Sequence, residues 1–149
     1  MLRGRRDLKA YQLAYRPAME IFNETRGFPK DERYSLTDQI RRSSRSVAAN
    51  IAEGFRKRQY PNMFASKPAD SDAEATETQV WLDFALDCGH LNQKRHAELT
   101  AGYEEVGRML ASMIARPERF MPLWRIRLPT AFCLLPSVFT ISPAFVVYQ

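Results

Sequence analysis

The sequence has few of the residues on which metal and catalytic sites are usually built. Its 149 residues include only two cysteines, Cys88 and Cys133, and two histidines, His90 and His96. Neither pair has the spacing of a metal or redox motif. Phosphate-binding glycine loops, zinc-protease motifs, nucleophile elbows and paired-carboxylate signatures are all missing from it. We therefore predict that the protein is not an enzyme, with no catalytic residues, no metal and no cofactor.

Uninterrupted apolar segments are also scarce. The first residues, MLRGRRDLKAYQ, are basic and lack the apolar core of a signal peptide. Residues 128–148 are long enough to cross a membrane, but three prolines fall within them, so we predict no membrane span. Two cysteines without a motif are typical of a reducing compartment. These features predict a cytoplasmic protein.

Acidic residues are missing from the C-terminal part of the chain. Residues 121–149 contain no acid, two arginines (Arg125 and Arg127) and four prolines among many apolar residues. A chain of 149 residues is enough for one domain with a core. We predict a folded domain over residues 1–120 and an irregular, loosely ordered apolar tail over residues 121–149.

Helical periodicity is present in four segments of the domain. They lie before Gly27, from about Asp31 to Lys57, from Asp72 to Leu91 and from about Lys94 to Ala115. With mostly short connections they predict an all-α fold, an antiparallel up-down four-helix bundle. The expected core stripes are Leu8, Tyr11, Tyr15, Ala18, Met19 and Phe22; Leu36, Ile40, Val47, Ile51 and Phe55; Ala73, Val80, Phe84 and Cys88; and Leu99, Tyr103, Val106, Leu110 and Met113.

Prolines and glycines lie within these helices or at their ends. Pro17 and Pro68 are expected to kink or break the first and third helices, because an interior proline removes a hydrogen bond. Gly54 lies inside the second helix at a cost of about 1 kcal/mol relative to alanine, which predicts a packing reason for it. Gly89 is the expected end of the third helix.

Charge is divided unevenly between helices within a net charge of +5. Arg41 to Arg58 contains six basic residues and one acid, whereas Ser66 to Asp87 contains one basic residue and six acids. One interpretation is that the basic stripe neutralises nucleic-acid phosphates. The other is that basic and acidic stripes pair, within a protomer or between subunits. Both stay open at this point.

Each interpretation has its own candidate residues. For RNA or DNA binding they are Arg3, Arg5, Arg6, Arg41, Arg42, Arg45, Arg56, Lys57 and Arg58. For an oligomer interface they are Arg41, Arg45, Glu74, Glu77, Asp83 and Asp87. Asn50, Glu53 and Gln39 are expected to make structural polar contacts rather than to act in catalysis.

A specific resemblance covers roughly Asp7 to Phe120. The segment FPKDERYSLTDQIRRSSRSVAANIAEGFRKR (Phe28 to Arg58) resembles the bacterial 23S rRNA intervening-sequence proteins, whose pattern is FPxxE, LxxQxRR and NIAEG. ETQVWLDFALDCG (Glu77 to Gly89) is similar to the third helix of that family. Pro17, Pro68 and the tail depart from the family pattern.

The resemblance implies a four-helix bundle that assembles into a ring, commonly a homopentamer, in a family without an established biochemical activity. Some members are encoded inside insertions in large-subunit ribosomal RNA genes. A related accessory protein of diversity-generating retroelements works with a reverse transcriptase and nucleic acid. The implied partners are therefore other copies of the chain, RNA or DNA, or another protein.

Overall fold

A computed structural model describes residues 4–121, and this part of the chain consists of helices joined by short turns. The long helices are α1 (Lys9–Glu24), α2 (Thr37–Lys57), α3 (Pro61–Asp87) and α4 (Gln93–Ala115). Helix α1 packs against α2 and α4, and α3 packs against the same two helices. Residues 4–121 include no strand, which confirms the predicted all-α four-helix bundle.

Single turns of 3-10 helix flank the bundle at Arg5–Asp7, Thr25–Gly27, Asp31–Arg33 and Pro117–Phe120. No helix among residues 4–121 is long and apolar enough to cross a membrane. Residues 122–149, and with them most of the predicted tail, lie outside the described residues.

The predicted core faces of α2 and α4 are confirmed. Every member of both stripes is buried in the structure, and Val47, Val106 and Leu110 have no exposed surface. Large aliphatic and aromatic residues at helical spacing therefore locate the core correctly on these two helices, because burial of their apolar surface drives the packing.

The predicted core face of α1 is right for Leu8 and Ala18, which are buried, and wrong for Tyr15 and Met19, which are about half exposed. The buried residues of the helix are Ala10, Ala14, Pro17, Ala18 and Ile21. Alanine side chains are short, so a helix that turns them inward can approach its neighbours closely. The larger side chains then lie at the edge of the helix contact or in solvent.

The predicted start and core face of α3 are also wrong. The helix begins at Pro61 rather than Asp72 and continues through Pro68. All four residues of the expected stripe, Ala73, Val80, Phe84 and Cys88, are exposed. The buried side consists instead of Phe64, Pro68, Ser71, Ala75, Thr78, Leu82 and Ala85.

Hydrogen bonds explain how α3 buries hydroxyl groups beside its apolar residues Phe64 and Leu82. The Ser71 hydroxyl donates to the Val47 carbonyl at 2.7 Å, and the hydroxyls of Thr78 and Ser43 are 3.0 Å apart. Since these groups are hydrogen-bonded, their burial carries little of the usual penalty for polar groups. The apolar stripe of α3 is thereby left on the outside of the protomer.

Gly54 and Gly89 have the structural roles that the sequence predicts. A β-carbon on Gly54 would lie 3.0 Å from Cβ of Lys67, so the glycine permits close contact between α2 and α3. Gly89 has a φ of 75°, a left-handed conformation that favours glycine at the end of α3.

Candidate functional site

Arg41, a candidate for both nucleic-acid binding and the oligomer interface, is held inside the protomer. Its Nε donates to Thr25 Oγ1 at 2.7 Å, and its guanidinium lies 4.9 Å from the centroid of the Phe22 ring. Burial lowers the pKa of Arg41, and the neighbouring Arg45 lowers it further. The side chain therefore fastens α2 to the end of α1 and is poorly placed to reach a ligand.

Lys57 and Arg58 also contact their own protomer. Lys57 Nζ lies 2.5 Å from Glu53 Oε1, and Glu53 also pairs with Lys67 Nζ at 3.1 Å. These hydrogen bonds, from Lys57 first and Lys67 second, lower the pKa of Glu53. The guanidinium of Arg58 lies 3.8 Å from the centroid of the Phe55 ring and donates to the Phe55 carbonyl.

Arg42, Arg45 and Arg56 are the exposed basic residues of α2. Arg42 Nη2 is 4.0 Å from Glu77 Oε1, the outer limit of an ion pair, with 71% of its side chain exposed. Arg45 lies near Phe22, with 5.7 Å between guanidinium and ring centroid. Among residues 4–121 the structure gives Arg56 no ion pair. These three side chains are accessible to a partner.

The predicted pairing of basic and acidic stripes is slight within the protomer. Of the acidic candidates, Asp83 contacts His96 of α4 at 2.7 Å rather than α2. Burial, and secondarily the adjacent Glu77, raises the pKa of Glu74. The Arg42–Glu77 contact is thus the main link between the two stripes, and most of their charge faces solvent.

An exposed apolar surface runs along the α2 side of α3. Val80 is 45% exposed and Phe84 is 53% exposed. Trp81 lies beside them, with its ring centroid 5.7 Å from that of Phe84 and its Nε1 donating to Glu77 Oε1 at 3.1 Å. We call Ala73, Glu77, Val80, Trp81, Phe84 and Cys88 the α3 stripe.

A second apolar surface lies between α1 and α2. It is a groove of about 390 Å³ whose floor is made of alanines and whose walls include Tyr15 and Met19. Two arginines, Arg5 and Arg45, border it, and no carboxylate is among its lining residues. We call this surface the α1/α2 groove. Its full lining is Arg5, Tyr11, Tyr15, Ala18, Met19, Arg45, Ala48, Ala49 and Ala52.

A pocket of about 510 Å³ lies at the start of α1, and the described residues that line it fall within 5–16. They contribute three guanidinium groups and two tyrosine rings, and none of them is acidic. We call it the N-terminal pocket. Its lining is Arg5, Arg6, Tyr11, Gln12, Tyr15 and Arg16. The candidate Arg3 lies outside the described residues.

The remaining polar candidates form no constellation for catalysis or metal binding. Asn50 lines a shallow depression between α2 and α3 with Glu74 and Glu77, and the structural roles predicted for Asn50 and Gln39 stay predictions. Within residues 4–121 no three metal-ligating side chains cluster. Cys88, expected to be buried, is exposed.

Arg95 was not singled out by the sequence, yet it forms the densest ion-pair cluster on the described surface. It pairs with Glu98, with Glu24 at 2.8 Å and with Glu20 at 3.1 Å. The hydrogen bonds that Arg95 donates to these carboxylates, to Glu98 first, raise its pKa. Two of the partners are more than 70 residues away in sequence, so no local pattern indicates the cluster. It joins α4 to α1.

Comparison with known proteins is consistent with this architecture. A family model described as 23S rRNA-intervening sequence protein matches residues 6–112. The crystal structure of a protein of unknown function from the S23 ribosomal protein family of Bacteroides thetaiotaomicron is similar, with a TM-score of 0.64 and 24% identity. The match covers 70% of this chain and 97% of that one, and it shows the fold. No curated protein matches the chain significantly.

Proposed function

The chain belongs to the 23S rRNA-intervening sequence protein family, and from this premise we propose that it is a non-enzymatic protein whose copies assemble head to tail into a ring. The α3 stripe of one copy docks into the α1/α2 groove of the next. The resemblance to the family implies five copies. The observation that carries the proposal is the exposure of Val80 and Phe84 on a helix that buries its hydroxyl-bearing side.

Shape and charge support this pairing of surfaces. Phe84 and Trp81 are bulky, whereas the groove floor is built of alanines that leave room for them. Glu77 belongs to the α3 stripe, and Glu74 lies one helical turn before it. Arg5 and Arg45 border the groove, so acidic and basic side chains meet when the surfaces dock. Different surfaces meet in such a contact, which makes it heterologous.

Bundle geometry favours a closed ring. The groove lies on the α1/α2 side of the bundle and the stripe on the adjacent α2/α3 side, since Glu77 contacts Arg42 of α2. Adjacent sides of a four-helix bundle face directions roughly 90° apart. Head-to-tail contacts through them turn each copy relative to the last, which suits a ring of few subunits.

The test of assembly is the molar mass of the full chain in solution, measured by sedimentation velocity. We expect Phe84→Asp to shift the protein to monomer with an unchanged helical spectrum, because Phe84 is exposed in the protomer. The matched control is Ile114→Asp, since Ile114 is an exposed apolar residue on α4, outside both surfaces. A Phe84→Asp protein with the mass of the wild type would contradict the proposed interface.

A charge-reversal cycle tests the register of the contact. We expect Arg45→Glu and Glu77→Arg each to weaken assembly and the double variant to recover part of it, because opposite charges then face each other again. Arg41 is unsuitable for this cycle, because its guanidinium is bound to Thr25 and Phe22 of its own protomer. Equal loss in the single and double variants would place the two residues in separate contacts.

Nucleic-acid binding is a second candidate function, and the position of basic residues favours it. In an up-down bundle the starts of α1 and α3 and the ends of α2 and α4 meet at one end of the molecule. Basic side chains outnumber acidic ones at that end. Its arginines are Arg5, Arg6, Arg56, Arg58, Arg116 and Arg119. A ring of copies would repeat this basic end around one rim.

Fluorescence anisotropy tests the second function with the full chain and two labelled probes, a structured RNA and a single-stranded DNA. We expect binding that persists at physiological salt and weakens as salt rises, because phosphate contacts release counterions. Arg5→Glu/Arg6→Glu should weaken it at least tenfold. Binding that disappears before physiological salt would leave the basic residues with a role in assembly alone.

A further inference from the structure

We propose that the N-terminal pocket binds one unpaired nucleotide of a single-stranded nucleic acid, with the base against the tyrosines and its phosphates against the arginines. This inference rests on the second function proposed above and adds the site and the class of ligand. It would distinguish single strands from duplexes, which a basic surface alone does not.

The backbone that carries Arg5 and Arg6 is tied to α1. Gln12 Nε2 donates to the Arg6 carbonyl at 2.6 Å, and the buried Leu8 donates its backbone N–H to the Arg5 carbonyl at 3.1 Å. Asp7 Oδ2 accepts from the Gly4 N–H at 3.0 Å and does not line the pocket. The turn thus presents both arginines next to α1 before any ligand arrives, which lowers the entropic cost of binding.

The tyrosines provide a stacking surface. Tyr11 and Tyr15 are one helical turn apart, and their rings are stacked with 5.8 Å between centroids and 28° between planes. Tyr15 is 50% exposed, so part of its ring is free to contact a base. An unpaired base can lie against an aromatic ring, whereas a base inside a duplex is already stacked on both faces.

Charge and volume fit the same ligand. Three guanidiniums line the pocket, and no carboxylate is among its described lining residues, which favours phosphate over a neutral or basic ligand. Its volume of about 510 Å³ falls within the range of small-molecule pockets, roughly 300–1,000 Å³. Inorganic phosphate would use the arginines but leave the tyrosine surface unused.

The pocket shares Arg5, Tyr11 and Tyr15 with the α1/α2 groove, so a nucleotide and a docked copy would contact the same tyrosines. The two sites differ in their outer residues. Arg6, Gln12 and Arg16 line the pocket but not the α1/α2 groove, and no residue of α2 lines the pocket. Arg6 and Arg16 can therefore be changed without altering the groove. Assembly and nucleotide binding can then be measured as separate properties of one variant.

The experiment uses the full chain with a fluorescein-labelled decauridylate and with a blunt-ended RNA duplex of equal length, in which every base is paired. We expect the single strand to bind at least tenfold more tightly than the duplex. Arg6→Gln/Arg16→Gln should weaken single-strand binding about tenfold. It should also make the slope of log affinity against log salt concentration shallower, by the amount expected for about two fewer phosphate contacts. Arg26→Gln/Arg33→Gln is the control, because it removes the same charge at the opposite end of the bundle.

A photocrosslink locates the base. With 5-iodouridine in the probe, we expect mass spectrometry to find the adduct on Tyr11 or Tyr15, and Tyr15→Leu to weaken single-strand binding about tenfold. Equal affinity for duplex and single strand, adducts elsewhere, or equal losses in the control variant would overturn the pocket while leaving nucleic-acid binding intact. Absence of binding by either probe would remove the second function itself. The Arg6→Gln/Arg16→Gln result is separate from assembly, because neither residue lines the groove.

Discussion

Pro17 of α1 lies opposite Gly102 of α4, where a β-carbon on the glycine would be 3.6 Å from Cβ of the proline. The same relationship recurs between α3 and α2, where a β-carbon on Gly54 would be 3.8 Å from Cδ of Pro68. Each interior proline is buried and faces a glycine of a neighbouring helix. Both distances are ordinary van der Waals contacts, and both helices continue through their prolines.

The two glycines should respond oppositely to alanine. Gly54→Ala should lower the free energy of unfolding by about 1 kcal/mol or more, because the new β-carbon would lie 3.0 Å from Cβ of Lys67 and would push α2 from α3. Gly102→Ala should be neutral or raise it by up to about 1 kcal/mol, since alanine favours helix and 3.6 Å is an ordinary contact.

Urea unfolding followed by circular dichroism at one protein concentration measures both changes, because assembly makes stability depend on concentration. Destabilisation of similar size in both variants would mean that helix approach is equally tight at the two sites. It would then contradict the special role assigned to Gly54.

Tyr103 should be replaceable by phenylalanine at neutral pH. The side chain is 1% exposed, and its hydroxyl has no hydrogen-bond partner among the described residues. A buried hydroxyl without a partner costs free energy, so Tyr103→Phe should leave stability unchanged or raise it by about 1 kcal/mol.

The same variant should change the response to alkaline pH. Burial raises the pKa of Tyr103, and the nearby Ser44 hydroxyl offsets this only in part. Because the folded pKa is above the ordinary value of about 10, the unfolded chain loses the proton first. Stability is therefore retained below pH 10 and falls as pH rises beyond it. Tyr103→Phe should flatten this fall in urea titrations between pH 9 and about 11, and an unchanged slope would contradict the prediction.

The sequence locates the core correctly on α2 and α4, in part on α1 and not on α3, for a physical reason. Val47 and Leu110 are large apolar residues, and their spacing marks the buried side directly. On α3 large apolar residues lie on two sides: Phe84 is exposed, whereas Phe64 is buried on the same side as the hydrogen-bonded hydroxyl of Thr78. Periodicity detects an apolar face, but it does not distinguish a buried face from an exposed one.

The candidate site is predictable in its charges but not in its contacts. The sequence indicates the basic stretch of α2, yet it does not show that Arg41 contacts Thr25 and Phe22 of the preceding segment. It also does not indicate the N-terminal pocket, because Arg5 and Arg6 join Arg16 there only through the turn before α1. Such contacts depend on tertiary packing, which local spacing does not encode.

Arg95 should contribute to stability through its cluster. Arg95→Gln leaves Glu20, Glu24 and Glu98 close together without a cation, so we expect a loss of about 1–2 kcal/mol in the free energy of unfolding. Repulsion between the carboxylates is screened by salt, so the loss should shrink in 1 M sodium chloride, where the Debye length is about 3 Å. Lys94→Gln is the control, because Lys94 is exposed beside the cluster. A loss independent of salt would assign the effect to packing of the guanidinium stem.

Arg41 and Arg45 should separate stability from assembly. Arg41→Ala removes a hydrogen bond to Thr25 and a cation–π contact with Phe22, so we expect a loss of about 1–2 kcal/mol in protomer stability. Arg45→Ala removes an exposed side chain 5.7 Å from the same ring, so protomer stability should change by less than about 0.5 kcal/mol. If the α1/α2 groove receives a neighbouring copy, Arg45→Ala should still weaken assembly, because Arg45 borders that groove.

Thermal unfolding of each variant in the monomeric Phe84→Asp background measures protomer stability. Sedimentation of each variant with Phe84 retained measures assembly. Loss of protomer stability in Arg45→Ala, with assembly unchanged, would mean that Arg45 stabilises the protomer and not the contact between copies.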